Sequence, residues 1–441
     1  MMKRTLAHLW IGINAAICIV TTNIFATEVD FSKQVELNIK NTEFEFSVFS
    51  NATKTSNDNI ILWLPSEHGL PDSIFNSAKS LAQKDSISQV WVADLLSSLF
   101  LPVQASSIDK ISNEVLYLLV KTVQAKTQKR LFIVASGKGA LLAMRAVHFW
   151  LQDGLTSQQF GGLVLLYPNL LTKTPEPGSS GLYYPVTHGV SVPIFILQPE
   201  NSPWRWQLST LQQHLFKANA RPFISILPKV RDRFFFRPDA NNDELQASQN
   251  LALIINKSVQ YLASEAIDNY TRPTKLPSVT MPQAIKQLTK LRRYTKDPTP
   301  PALQLKNLTG NTSSLQQYHG KVIVVNFWAS WCPPCVHEMP SMETLYQRYP
   351  RSEFTILAVN MAEDSDTITQ FINERVQVNF PILLDSNGKA LQDWRVFAFP
   401  SSFVIDKQGS IRYAVFGSML WDTPQVYEII DKLIKEPASM N

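Results

Sequence analysis

The sequence predicts an α/β protein built from two sheet-centred domains, and three observations lead there. The chain has 441 residues, more than one ordinary core accommodates, so a division in two is expected. Over the first two-thirds, short apolar runs alternate with helix-spaced stretches, the pattern of a mostly parallel sheet covered on both faces. After a proline-dotted break a shorter alternation follows, and a Cys-x-x-Cys pair stands between one of its strands and a helix.

Composition sets the class. Apolar content of 45% and charged content of 17% describe a globular protein. A net charge of +5 without a basic face gives nucleic acid no footing as a partner.

Residues 1–26 read as an export signal peptide. Lys3 and Arg4 supply the positive start, 9–20 is a short apolar stretch, and Asn23-Ile24-Phe25-Ala26 offers a cleavage site after Ala26. An uncleaved N-terminal anchor is the alternative. Cys18 follows Ile17, which is too large for a lipidation site. Of 3 cysteines in the chain, cleavage would leave Cys332 and Cys335. A single pair in an exported, periplasmic protein fits a dithiol/disulfide enzyme.

Residues 27–268 form the expected first domain. Strands are predicted at 35–40, 44–50, 60–65, 90–95, 131–135, 162–167, 192–197 and 222–227, the first two as a hairpin. Helices are predicted at 107–125, 140–151 and 244–263. The turn after Leu131-Phe132-Ile133-Val134 reads Ala135-Ser136-Gly137-Lys138-Gly139. With the order of elements, this turn resembles the α/β-hydrolase fold, in which a small-x-nucleophile-x-small elbow lifts a serine above the sheet. The resemblance puts Gly137 at the nucleophile position, where glycine takes the strained backbone at no cost but supplies no chemistry. The family's histidine would follow the last strand, yet Arg231-Asp232-Arg233 stands there and 222–264 holds no histidine. Glu200 would be the acid. A frame slipped to Ser136 would put Val134 where a small neighbour is needed and would still lack a base. The domain is therefore expected to be non-catalytic, used for binding or positioning. His68, His148, His188 and His214 lack metal-ligand spacing and read as structural or surface residues.

Residues 269–299 read as an extended, proline-dotted linker. A short basic helix is expected at 284–294, carrying Lys286, Lys290, Arg292 and Arg293. A solvated face is the plain reading of those charges; contact with anionic lipid, and so association with a membrane, is the other.

Residues 300–437 form the expected second domain, with strands at 322–328, 354–360, 401–406 and 410–415 and helices at 336–348, 365–375 and 424–435. Asp406-Lys407-Gln408-Gly409 reads as a hairpin turn with Gly409 free to take positive φ. At its centre lies Trp331-Cys332-Pro333-Pro334-Cys335. A helix N-terminus carries unpaired N–H groups and partial positive charge, so it favours thiolate at Cys332, pulling its pKa from about 8.5 toward 7 or below. Cys332 is thus the expected attacking sulfur, and Cys335, one turn in, the resolving one. Pro333 and Pro334 stiffen the loop in the tolerated first turn, and Pro340 should kink the helix. Trp331 is expected to shield the sulfurs. Glu338, three residues after Cys335, shares its helical face and is the candidate proton acceptor, against the plain reading of a first-turn acid that favours the dipole.

Several motifs in order carry a second resemblance: Ser314-Leu315-Gln316-Gln317-Tyr318-His319-Gly320-Lys321, Val325-Asn326-Phe327-Trp328-Ala329-Ser330 before the cysteines, Glu338-Met339-Pro340, Phe380-Pro381-Ile382-Leu383-Leu384-Asp385, and Phe399-Pro400-Ser401-Ser402-Phe403. From Pro300 to Glu436 the chain resembles the TlpA/ResA group of exported thioredoxin-like proteins. The resemblance implies a thioredoxin-like fold and a cis-proline at Pro400 facing the cysteines; the residues alone favour a trans bond. It also implies that Glu338 tunes the thiols where ordinary thioredoxins bury an aspartate, a position held here by Asn326. No cofactor or metal is implied. The expected activity is a thiol-disulfide oxidoreductase, a reductase of protein disulfides with clients such as apocytochrome c, re-reduced by a membrane electron donor of the DsbD/CcdA type. A dithiol oxidase using the same cysteines, and a binding protein whose hydrolase-like domain recognises a ligand, are the rival readings.

Overall fold

The computed structural model describes residues 32–50, 59–175, 178–179, 181–265, 270–273, 290–361 and 363–437. The expected signal peptide and most of the expected basic helix lie outside these residues.

Two eight-stranded sheets account for the strands described. The first is built from β1 (Ser32–Ile39), β2 (Thr42–Ser50), β3 (Asn59–Trp63), β4 (Gln89–Ala93), β5 (Arg130–Ser136), β6 (Phe160–Leu166), β7 (Pro193–Asn201) and β8 (Arg221–Arg231). Their order is β1-β2-β4-β3-β5-β6-β7-β8. The opening hairpin and the β2–β4 pair are antiparallel; every other pair is parallel. Central strands such as β6 are buried along their whole length, as a sheet covered on both faces requires. The helices are α1 (Asp72–Ala82), α2 (Leu95–Ser98), α3 (Ala105–Lys110), α4 (Asn113–Thr127), α5 (Gly139–Gln152), α6 (Leu208–Lys217), α7 (Asn242–Gln249) and α8 (Leu251–Ser264). Apolar side chains of α4, α5 and α6 fill the core on one face, and those of α1 and α8 fill the other.

The expected helix at 107–125 is two helices. Ser112 leaves the helical conformation and its hydroxyl accepts the Val115 N–H, a start signal inside an apolar pattern. The expected helix at 244–263 likewise divides at Asn250, which caps α7 and opens α8.

The second sheet runs β11-β10-β14-β13-β12-β15-β16-β9. Its strands are β9 (Arg292–Arg293), β10 (Gln304–Asn307), β11 (Thr312–Ser314), β12 (Val322–Trp328), β13 (Phe354–Met361), β14 (Ile382–Asp385), β15 (Ser401–Ile405) and β16 (Ile411–Phe416). It is flanked by α9 (Pro333–Arg348), α10 (Ser365–Phe371), α11 (Lys389–Asp393) and α12 (Pro424–Lys435). Val322, Val324 and Trp328 of β12 pack with α9 and α12, while Ile323, Val325 and Phe327 pack on the other face with Leu391 and Trp394. Gly409 takes φ 83 in the β15–β16 turn.

Three expectations change here. Arg292 and Arg293 form an edge strand on β16 rather than the end of a basic helix. The helix expected at 336–348 begins at Pro333, with Pro340 inside it. The helix expected at 365–375 is α-helical to Phe371 and then a π-turn through Val376.

Candidate active site

β12 is central, parallel to β13 and antiparallel to β15, and its C-terminal end delivers the chain to the cysteines. Cys332 is the N-cap residue of α9, and its Sγ accepts the Cys335 N–H at 3.3 Å. Pro333 and Pro334 have no N–H to offer, so the first free amide of the helix points at this sulfur. Cys332 and Cys335 are joined as a disulfide with Cα atoms 5.3 Å apart. Cys332 is 6% exposed and Cys335 is fully buried, so an incoming disulfide meets Cys332 first.

The loop before Cys332 is held from below. Glu363 accepts the Ser330 N–H at 2.8 Å, the Ser330 hydroxyl, and the Asn360 side-chain amide at 2.7 Å. Burial raises its carboxyl above the ordinary range, although those donors oppose the rise. The sequence reading passed over Glu363; an acid shortly after an apolar strand that ends beside the motif was the available signal.

Glu338 is buried beneath the motif. Its Oε1 accepts Asn326 Nδ2 at 2.9 Å, and its Oε2 accepts the Met419 N–H at 3.2 Å and Trp421 Nε1 at 3.3 Å. Burial pushes its carboxyl up from 4.5 to about 7, against the pull of those donors. Asn326 also donates to Ser402 Oγ at 2.9 Å, so it links the strand to the acid. Met419 and Trp421 escaped the sequence reading, because they lie beyond β16 in a segment with no periodic pattern.

The Phe399–Pro400 peptide bond is cis. Ser401 opposes Phe327 in the β12–β15 register, which sets Pro400 beside the strand end that carries the motif. The Pro400 carbonyl accepts the Gly417 N–H at 2.9 Å, and the Phe399 ring meets Trp331 edge-on at 5.9 Å. Trp331 is half-buried against the apolar clusters on both faces of the sheet.

The turn after β5 is arranged differently. Gly137 has φ 53, and the Glu67 carboxylate lies over it, accepting the Lys138 N–H at 2.7 Å. A Cβ on Gly137 would stand 2.6 Å from Glu67 Oε2. Ser136 is buried. Asp232 is half-buried with its carboxyl turned away from solvent; it accepts Ser202 Oγ at 2.9 Å, and desolvation pushes it up to about 7. Glu200 is engaged by the Lys229 N–H at 3.0 Å and by Arg205 at 3.3 Å. His148 is a core residue bonded to the Gly189 carbonyl at 2.6 Å, and His188 and His214 pack ring on ring at 4.3 Å. No helix of the described residues is long and apolar enough to cross a membrane.

The AhpC/TSA family model matches residues 297–414. Thiol-disulfide oxidoreductase ResA of Geobacillus kaustophilus is 38% identical over 121 residues, 27% of this chain and 69% of that protein. Thioredoxin-like protein YneN of Bacillus subtilis is 38% identical over 121 residues, 27% of this chain and 70% of that protein. Among solved structures, a putative thiol:disulfide interchange protein DsbE from Chlorobium tepidum is 27% identical, with 32% of this chain and 98% of that chain covered at a TM-score of 0.30.

Proposed function

Through its second α/β unit the chain belongs to the thioredoxin-like thiol-disulfide oxidoreductases of the ResA type, and from that premise we propose that it is an exported reductase of protein disulfides. The observation that carries this reading is the buried Cys332–Cys335 pair at the head of α9, with the Cys335 amide aimed at the Cys332 sulfur. The unit formed by residues 300–437 does the chemistry, and the one formed by 27–268 is a hydrolase-like frame without a nucleophile. In support of the second point, Gly137 stands at the elbow under a carboxylate.

In the reduced protein the Cys332 thiolate attacks one sulfur of a client disulfide. The client S–S bond breaks, a mixed disulfide forms on Cys332, and the first client sulfur leaves as a thiolate that takes up a proton. Cys335 loses its proton to Glu338, on the same helical face, and attacks Cys332 Sγ. The second client sulfur is released and the Cys332–Cys335 bond closes, so two electrons pass to the client. A membrane dithiol donor of the DsbD/CcdA type restores the pair outside the cytoplasm.

Direction is tested by equilibrating the purified protein with glutathione. A reductase has a potential below about −220 mV; a value near about −120 mV makes it an oxidase with the same cysteines.

A further inference from the structure

The connections at the C-terminal ends of three neighbouring strands of the first sheet all reach the redox unit. After β6, the Gly178 carbonyl accepts Arg395 Nη1 at 3.5 Å, and Phe397 joins the apolar core containing Leu171 and Tyr183. After β7, Trp206 Nε1 donates to Met361 Sδ at 3.0 Å, and its ring covers Gly388 so closely that a Cβ there would stand 2.3 Å away. At the end of β8, Arg231 Nη1 donates to the Trp331 carbonyl at 3.4 Å. This is the edge at which open α/β sheets hold their ligands. Here it holds the loop of the cysteines.

Arg231 is fixed in place. Nε and Nη2 grip Glu244 at 2.6 Å each, Nη2 also donates to the Asp239 carbonyl at 2.8 Å, and Nη1 donates to Asp239 Oδ2 at 3.1 Å. With Trp331 these acceptors use all five guanidinium N–H groups. Glu244 is fully buried and closes a capping box with Asn241, so the fork cannot swing. One of its five bonds crosses to the peptide that joins Trp331 to Cys332.

We propose that Arg231 is a positioning residue of the redox site, through which the first α/β unit holds the Trp331 carbonyl and sets the acidity of Cys332. This rests on the oxidoreductase reading above. Reduction of the disulfide places a thiolate one residue from the peptide that Arg231 holds. Glu244 and Asp239 offset the charge of Arg231, but the guanidinium is the group of this cluster bonded to the loop, and a cation that reaches a thiolate ahead of its counter-ions favours the charged sulfur. The charged groups bonded to the loop or to the residues that hold it are Arg231 with Glu244 and Asp239, the last shared with Arg237, from the first unit, Glu338 under Asn326 on α9, and Glu363 at Ser330; His337 follows Cys335 by two positions in the sequence. Lysine would keep charge without the fork, so it should restore the effect only in part.

The test is the pH profile of Cys332 alkylation in the reduced full-length chain, with the glutathione equilibrium alongside. Arg231→Gln/Glu244→Gln, which leaves no buried charge unpaired, should raise the alkylation midpoint by about 0.5 to 1 pH unit. It should move the glutathione equilibrium about three- to tenfold toward the disulfide form, with Arg231→Lys between it and the wild type. Both readouts unchanged in both variants would overturn the proposal. A measurement on the unsubstituted chain accompanies them: the Arg231 Nε–H resonance should titrate with Cys332, and a resonance indifferent to reduction and pH also overturns it. If wild-type Cys332 failed to exchange with protein disulfides, the functional reading would fall, while the alkylation profiles would still decide the role of Arg231.

Discussion

Glu338 is a carboxyl that the folded chain keeps protonated further up the pH scale than an unfolded chain does, with its pKa near 7 against 4.5. The folded state therefore binds more protons between those values, so stability falls as pH rises through that window and stays reduced above it. At 1.36 kcal/mol per unit the cost above pH 7 is roughly 3 kcal/mol, an upper figure. Glu338→Gln cannot ionise. Relative to the wild type, the oxidised variant should gain up to about 3 kcal/mol at pH 8 over its difference at pH 4.5, measured by urea unfolding at both pH values. An equal difference at the two pH values would remove Glu338 as the titrating group. The sequence made Glu338 legible through its spacing from Cys335, and Pro400 through its motif. It could not make Trp421 or Glu363 legible, because their bonds to Glu338 and Ser330 span contacts that no local pattern encodes.

At the scale of elements, periodicity located strands better than helix ends. β12, β13 and β15 fall almost where their apolar runs put them, since a strand buried on both faces has little choice of side chain. The division between α3 and α4 escaped, because Ser112 acts as a cap only in the backbone conformation it adopts there. Arg292 and Arg293 escaped for another reason: an edge strand two residues long takes its place from β16, not from its own side chains. The turn after β5 gives an element-scale prediction. Gly137→Ser forces a side chain into positive φ and against Glu67, which caps the turn through Lys138. It should cost about 1–3 kcal/mol in chemical denaturation and yield no hydrolysis of a p-nitrophenyl ester. Ester turnover above background would show that a base and an oxyanion site survive around this turn, and would contradict the reading that more than the serine is missing.

At the scale of the whole molecule, a thiol pair on the second sheet is braced by loops from the strand ends of the first. That bracing was invisible in the sequence: Arg231 is the last residue of β8, Trp206 and Phe397 lie in connections without periodicity, and the three are up to 191 positions apart. The motif itself was legible because the order strand, Cys-Pro-Pro-Cys, helix is local and its chemistry follows from the helix N-terminus. The claim on which everything else depends is that Cys332 exchanges with protein disulfides and Cys335 resolves the product. The direct measurement is mass spectrometry of the full chain carrying Cys335→Ser, expressed in cells and purified without reductant. The account predicts client proteins held in mixed disulfides on Cys332, released by dithiothreitol and absent when Cys332 is also replaced by Ser. A chain that carries no mixed disulfide at Cys332, or the same captured proteins without Cys332, would contradict it.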